Sequence, residues 1–177
     1  NDTYLRAKKI YSDINDNNNV LESSLSLDLY SEDLSIDANV KIYENLDRIK
    51  SDRYEFILPE INLVKNLENK TNLDGNFVFK SNNLFKNYDT NIFETLNIND
   101  LVFNSNPKIS QNGFYNNYEF ILRNSNTDSE NSTNYKNKES SYVSGLFQFN
   151  SSLPMIKESV NYKNIIKPKI ALKISPN

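Results

Sequence analysis

Asp13-Ile14-Asn15-Asp16-Asn17-Asn18 sets oxygen side chains at the alternate positions that open a calcium-binding loop. Such a loop needs a glycine at its sixth position and a bidentate glutamate at its twelfth. Asn18 and Ser24 stand there instead, so the stretch reads as a polar loop. Carboxylate pairs such as Glu22 and Asp28 have the residue types of a glycosidase. With 23 acids in the chain, such pairs arise from composition and point to no site. Histidine and cysteine are absent from the sequence. That removes Ser-His-Asp and Cys-His catalysis, imidazole metal sites and disulfides from this chain. Three glycines are too few for a phosphate-cradling loop. The sequons at Asn69, Asn131 and Asn150 are expected by chance in an asparagine-rich chain. The expectation is a protein that is not an enzyme, with no catalytic residue, no metal and no cofactor.

Charges of both signs are interspersed to a net −3, with no basic stripe, so nucleic acid is not an expected partner. No apolar run reaches the 18 residues of a candidate transmembrane helix. Asn1-Asp2-Thr3 carries no signal-peptide pattern, and with the end at Ser175-Pro176-Asn177 the chain reads as a fragment. Apolar residues are 37% of the total, below the roughly 45–50% usual in globular domains. Disorder does not follow, because aromatics reach 12% and an alternating pattern recurs.

That pattern is clearest in "LSLDLYSEDLSIDANVKI". Leu25, Leu27 and Leu29 alternate with polar residues. After a polar turn the phase shifts, and Leu34, Ile36, Ala38, Val40 and Ile42 become the apolar set. Two amphipathic strands joined by a tight turn are predicted. The same rhythm predicts strands over 3–12, 20–31, 34–45, 53–65, 76–83, 91–104, 114–125, 141–151 and 165–175. Asn/Asp/Ser/Lys clusters between them supply turn chemistry. The stretch 44–53 reads as a hairpin loop with room for a helical turn, and Pro59 predicts a bulge or bend. Loops are expected at 126–140, "NTDSENSTNYKNKES", as a mobile polar segment, and at 154–164.

The fold class is therefore all-β, with antiparallel up-and-down strands. Several predicted strands meet the 9–11 residues that a tilted strand needs to cross a bilayer. Tyr11, Tyr30, Tyr43, Tyr54, Tyr115 and Tyr142 fall near strand ends, as in an aromatic girdle, although tyrosine is common in strands generally. In a membrane barrel Leu25, Leu27, Leu29, Leu34, Ile36, Val40 and Ile42 would face lipid. Asp28, Asp37, Lys41, Glu55, Glu119, Arg123 and Lys173 would face a watery lumen. In a soluble sandwich the same polar residues would face solvent, and alternation alone does not separate the two.

Five stretches, in order, carry a resemblance: "NDTYLRAKKIYS", "SDRYEFILPEINLVKNL", "LNINDLVFNS", "GFYNNYEFILRNSNT" and "LPMIKESVNYKNIIKPKIALKISPN". Together they resemble the alphaproteobacterial outer-membrane lipopolysaccharide-assembly proteins of the LptD/OstA (Imp) family. The resemblance covers nearly all of this chain but only the middle of the family's β-barrel domain. It implies residues 1–177 as part of the wall of a large transmembrane barrel in a Gram-negative outer membrane. It also implies a role in inserting lipopolysaccharide into the outer leaflet. The partners implied are lipopolysaccharide, outer-membrane lipid, a lipoprotein plug (LptE-like) and, through the rest of the protein, periplasmic bridge proteins. Disulfide cysteines known in some members are absent here. Two other readings stay open: a fragment of a different outer-membrane barrel, or a soluble β-sandwich binding a ligand through loops such as 126–140.

Overall fold

A computed structural model describes residues 19–176. The predicted strand at 3–12, Tyr11 and the calcium-loop-like stretch at 13–18 lie outside the described residues. Among the described residues there are eleven strands. In chain order they are β1 (Val20–Tyr30), β2 (Leu34–Asn45), β3 (Tyr54–Leu67), β4 (Gly75–Tyr88), β5 (Ile92–Ser105) and β6 (Lys108–Ile109). There follow β7 (Tyr115–Glu130), β8 (Ser140–Ser152), β9 (Met155–Glu158), β10 (Lys163–Ile166) and β11 (Lys169–Ile174). A single 3-10 turn at Lys50–Arg53 occupies the loop between β2 and β3. The main sheet runs β1-β2-β3-β4-β5-β7-β8-β11 with β6 beside β7, and β9 and β10 form a separate ribbon. The fold is thus all-β, with antiparallel up-and-down strands in one sheet. No helix among the described residues is long and apolar enough to cross a membrane.

The strands follow the alternation, but several run longer than predicted. β4 continues past Asn83 through Asn87 to Tyr88, and β7 continues past Ser125 to Glu130. The expected loop at 126–140 shrinks to 131–139. The expected loop at 154–164 is mostly the β9–β10 hairpin. The predicted strand at 165–175 is divided between β10 and β11 around Lys167-Pro168; proline has no N–H to give a ladder. Residues 19–176 form two compact units that share five long strands. The first holds 19–63, 81–98 and 125–142; the second holds 64–80, 99–124 and 143–176.

In the first unit the β1–β2 turn closes with a hydrogen bond from the Ser31 N–H to the Leu34 carbonyl (2.8 Å). In the β4–β5 turn Asp89 and Thr90 take φ of 45° and 65°, a region unfavourable for a β-branched residue. Contacts from the preceding loop hold it there. The Thr90 hydroxyl donates to Asp52 (2.7 Å), and Arg48 pairs with Asp89. β3 changes phase near Pro59: Glu55 meets Lys86 (2.8 Å) while Asn62 meets Asn82, although Lys86 and Asn82 share a face of β4. An extra residue between Glu55 and Asn62, as the proline predicts, accounts for the shift.

In the second unit Gly113 (φ 82°) turns the chain between β6 and β7, and its N–H donates to the Ser110 carbonyl (2.9 Å). Gly75 opens β4 beneath Phe103. A Cβ on Gly75 would meet the Asn104 carbonyl oxygen and lie 2.7 Å from the Phe103 ring. The ring covers backbone that only glycine leaves clear, a packing that offsets glycine's weak strand preference. Val102 and Phe103 are the buried hydrophobic residues among those described, and no described side chain is fully buried.

Candidate functional site

The β1–β2 register sorts the first unit's side chains. Leu25 lies opposite Val40, Leu27 opposite Ala38, Leu29 opposite Ile36 and Ser23 opposite Ile42. Opposed residues leave a sheet on the same side. Leu25, Leu27, Leu29, Ile36, Val40 and Ile42 therefore share one face, with Leu34 two residues before Ile36. Leu25 and Leu27 are about 70% exposed (71% and 70%), so nothing described covers this face at β1.

The other face is polar and knitted together. Asp28 lies opposite Asp37, Ser26 opposite Asn39 and Ser24 opposite Lys41. Like charges placed so are unfavourable, and donors gather around Asp37. Asn39 gives it a 2.7 Å hydrogen bond and Asn62 a 3.5 Å one. The Ser26 hydroxyl donates to Asn39 (2.7 Å), and Asn82 donates to Asn62. Lys41 pairs with Glu60 at 3.2 Å. Asp37 thus sits in a ladder crossing β1 to β4, and Lys41 forms a separate pair across β2 and β3 on the same face. Their partners Glu60 and Asn62 were missed at the sequence level, because the phase shift near Pro59 hides which side they take.

A second amide ladder lies on the reverse side. Asn97 donates to Asn83, Asn126 to Asn97 (3.2 Å), and the Ser141 hydroxyl to Asn126 (2.7 Å). Asn83 follows Asn82, so alternation puts this ladder on the face that carries Leu27. That face is apolar over β1 and β2 and amide-lined across β4, β5, β7 and β8.

The turn 131–139 is fastened to the sheet. Glu94 is 7% exposed and accepts hydrogen bonds from Ser132 (2.5 Å), Tyr88 (2.8 Å) and Asn134 (3.1 Å). Asn131 donates to the Asn91 carbonyl at 2.9 Å. The segment expected to be mobile is therefore tied down. Ser132 also accepts from the backbone N–H groups of Asn134 (3.0 Å) and Tyr135 (3.2 Å). Its lone pairs are occupied, which suits a fastening and not a nucleophile. A cleft of about 570 Å³ lies beside it, lined by Tyr43, Arg53, Glu55, Lys86, Tyr88 and Asn134 among others. Its charges are largely paired internally, Lys86 with Glu55 and Arg53 with Glu44 (3.3 Å). Among the described residues no cluster of carboxylates could hold a metal ion.

In the second unit the two faces differ more sharply. Phe77 and Phe103 lie with ring centroids 4.7 Å apart, Phe103 and Tyr118 5.7 Å, Tyr118 and Phe147 6.2 Å. This chain of rings crosses β4, β5, β7 and β8. Phe147 lies opposite Ile174, and Phe149 opposite Leu172, so the apolar face continues onto β11. Phe120, Leu122, Phe149, Leu172 and Ile174 are all exposed. On the other face Arg123 grips Asp100 with two 2.7 Å hydrogen bonds. Alternation places Glu119 on Arg123's side, and Lys173 lies opposite Gln148. Asp100 as the partner of Arg123 was legible only as one more alternating acid.

Of the tyrosines singled out near strand ends, Tyr30 closes β1, Tyr54 opens β3 and Tyr115 opens β7. Tyr43 and Tyr142 lie two residues inside β2 and β8. No protein-family model matches the chain, and no curated protein matches it in sequence. The class that fold and geometry define is the coarser one: a two-faced all-β protein built on long antiparallel strands.

Proposed function

We propose that this chain is part of the wall of an outer-membrane β-barrel. Its resemblance to the LptD/OstA family makes that barrel the translocon that inserts lipopolysaccharide into the outer leaflet. The observation that carries the wall reading is an apolar face left uncovered on strands of 11–16 residues. A soluble sandwich needs two sheets whose inner faces bury each other. The described residues offer one large sheet, a ribbon of four-residue strands, and two buried hydrophobic side chains. Exposed in water, each leucine of that face forgoes about 1.5–3 kcal/mol of burial. Against acyl chains the loss disappears.

In this reading the aromatic and aliphatic face of the second unit and the Leu25–Leu27–Leu29 face of the first lie against lipid. Asp28, Asp37, Lys41, Glu119 and Arg123 line the lumen, where a sugar-phosphate headgroup and a lipoprotein plug need a wet, polar surface. The Asn83–Asn97–Asn126–Ser141 ladder lies on the same face as Leu27. Amides bonded to one another are tolerated there, and unbonded ones in hydrocarbon are costly. Catalytic residues are not required, because the chain's task is to shape a passage.

The test is made on the full protein in cells. Outer-membrane fractions are run on a gel with and without boiling. A heat-shifted band supports a closed barrel, and depletion followed by assay of surface lipopolysaccharide tests the transport role. Leu27→Arg and Ile36→Arg should each block assembly, costing roughly 2–4 kcal/mol near the bilayer midplane, while Asp28→Asn and Asp37→Asn assemble. A soluble, unshifted protein would return the sandwich reading.

A further inference from the structure

The β9–β10 ribbon lies off the main sheet and belongs to neither face described above. Its base is closed by a 3.2 Å hydrogen bond from the Leu153 N–H to the Pro168 carbonyl, its tip by one from the Ser159 N–H to the Tyr162 carbonyl (2.9 Å). Met155 pairs with Ile166 and Ile156 with Ile165. Adjacent pairs point to opposite sides, so both sides of the ribbon are apolar. All four side chains are exposed, as is Tyr162, and Val160 at the tip is 99% exposed. A protein partner seated on one side would leave the other in water; a lipid layer surrounds both. The charge is one-sided as well. On the ribbon and at its base Lys157, Lys163 and Lys167 stand against one acid, Glu158, which Lys163 neutralises at 2.6 Å.

We propose that the β9–β10 hairpin is an anionic-phospholipid anchor, its aliphatic side chains among the upper acyl chains and Lys157 and Lys167 on headgroup phosphates. The inference rests on the membrane-wall reading and adds a lipid preference to it. Depth is set by the backbone. A two-stranded ribbon has two unpaired edges, which must stay in reach of headgroups and water. Lysine stems are long enough to lie along the apolar surface while the ammonium reaches the phosphates.

The experiment places an environment-sensitive fluorophore at Val160→Cys in the full protein, reconstituted in vesicles. The signal of the unsubstituted protein is subtracted. Phosphatidylcholine vesicles are compared with vesicles containing phosphatidylglycerol. A blue shift with phosphatidylglycerol alone, lost in the Lys157→Gln/Lys167→Gln variant, is the expected result. At roughly fivefold per lysine near an anionic surface, the double variant should lower the hairpin's partitioning roughly 25-fold. Water-like emission in both vesicles, or equal shifts in both, overturns the anchor. The same fluorophore at Leu27→Cys tests the wall separately. It should be blue-shifted in both vesicles, and water-like emission there overturns the wall reading whatever Val160 reports.

Discussion

The two units solve the same problem, holding long strands together without a core, by different means. In the first, side-chain amides, hydroxyls and carboxylates bond across strands on both faces of the sheet. In the second, a chain of rings crosses four strands on one face, and the charged Asp100–Arg123 pair sits on the other. Hydrogen bonds return about 1 kcal/mol each net of lost water. Aromatic contacts add about 0.5–1.5 kcal/mol beyond the area they bury. The first unit's ladders tolerate water or headgroups on both sides. The second unit's ring face leaves Phe120, Leu122 and Phe149 exposed.

The sharpest way to break this contrast is Phe103→Ala. Phe103 touches two rings and covers Gly75, and losing it should cost about 3–5 kcal/mol, read as a lowered denaturation midpoint in detergent. A loss below 1 kcal/mol would mean that the rings do not hold the second unit. Gly75→Ala attacks the same contact from beneath. Overpacking should cost about 1–3 kcal/mol, and pairing it with Phe103→Ala should recover part of that loss in a double-mutant cycle.

In the first unit, Glu94→Ala strands the Ser132, Tyr88 and Asn134 donors, a loss of about 1–3 kcal/mol where those groups stay buried. Hydrogen exchange should quicken across 131–139 and stay unchanged in the second unit. Asn97→Ala removes the middle of one ladder and should cost about 1 kcal/mol. The smallest effect is expected from Arg123→Lys. Its pair with Asp100 is half exposed on the arginine side and solvent-screened, so it is worth at most about 1 kcal/mol. A larger loss there would show that the polar face of the second unit is drier than its exposure implies.

The hairpin of β1 and β2 was legible because leucine and isoleucine alternate without a break and a charged turn reverses the phase. The far ends of β4 and β7 were not. Asn87 and Asn126 carry turn-forming side chains, and a local reading ends the strands before them. In the fold their amides bond to a neighbouring strand instead, a gain that exists only once those strands are adjacent. The same reasoning applies to 154–164, where polar residues around Met155, Ile156 and Val160 masked a short ribbon. The carboxylate of Glu94 looked like any exposed acid until the turn 131–139 folded onto it.

What the sequence determined by itself was the period: two-residue alternation dictates strands, and the choice of residues at each step dictates one greasy and one wet face. The lack of histidine and cysteine removed whole classes of chemistry before any fold was known. Which strands are neighbours, that Asp37 meets Asn62 and Arg123 meets Asp100, and that four rings line up across four strands with Phe103 over Gly75, only the tertiary structure decided. Those contacts join residues tens of positions apart, and their energies appear when the register of the sheet brings the partners within reach.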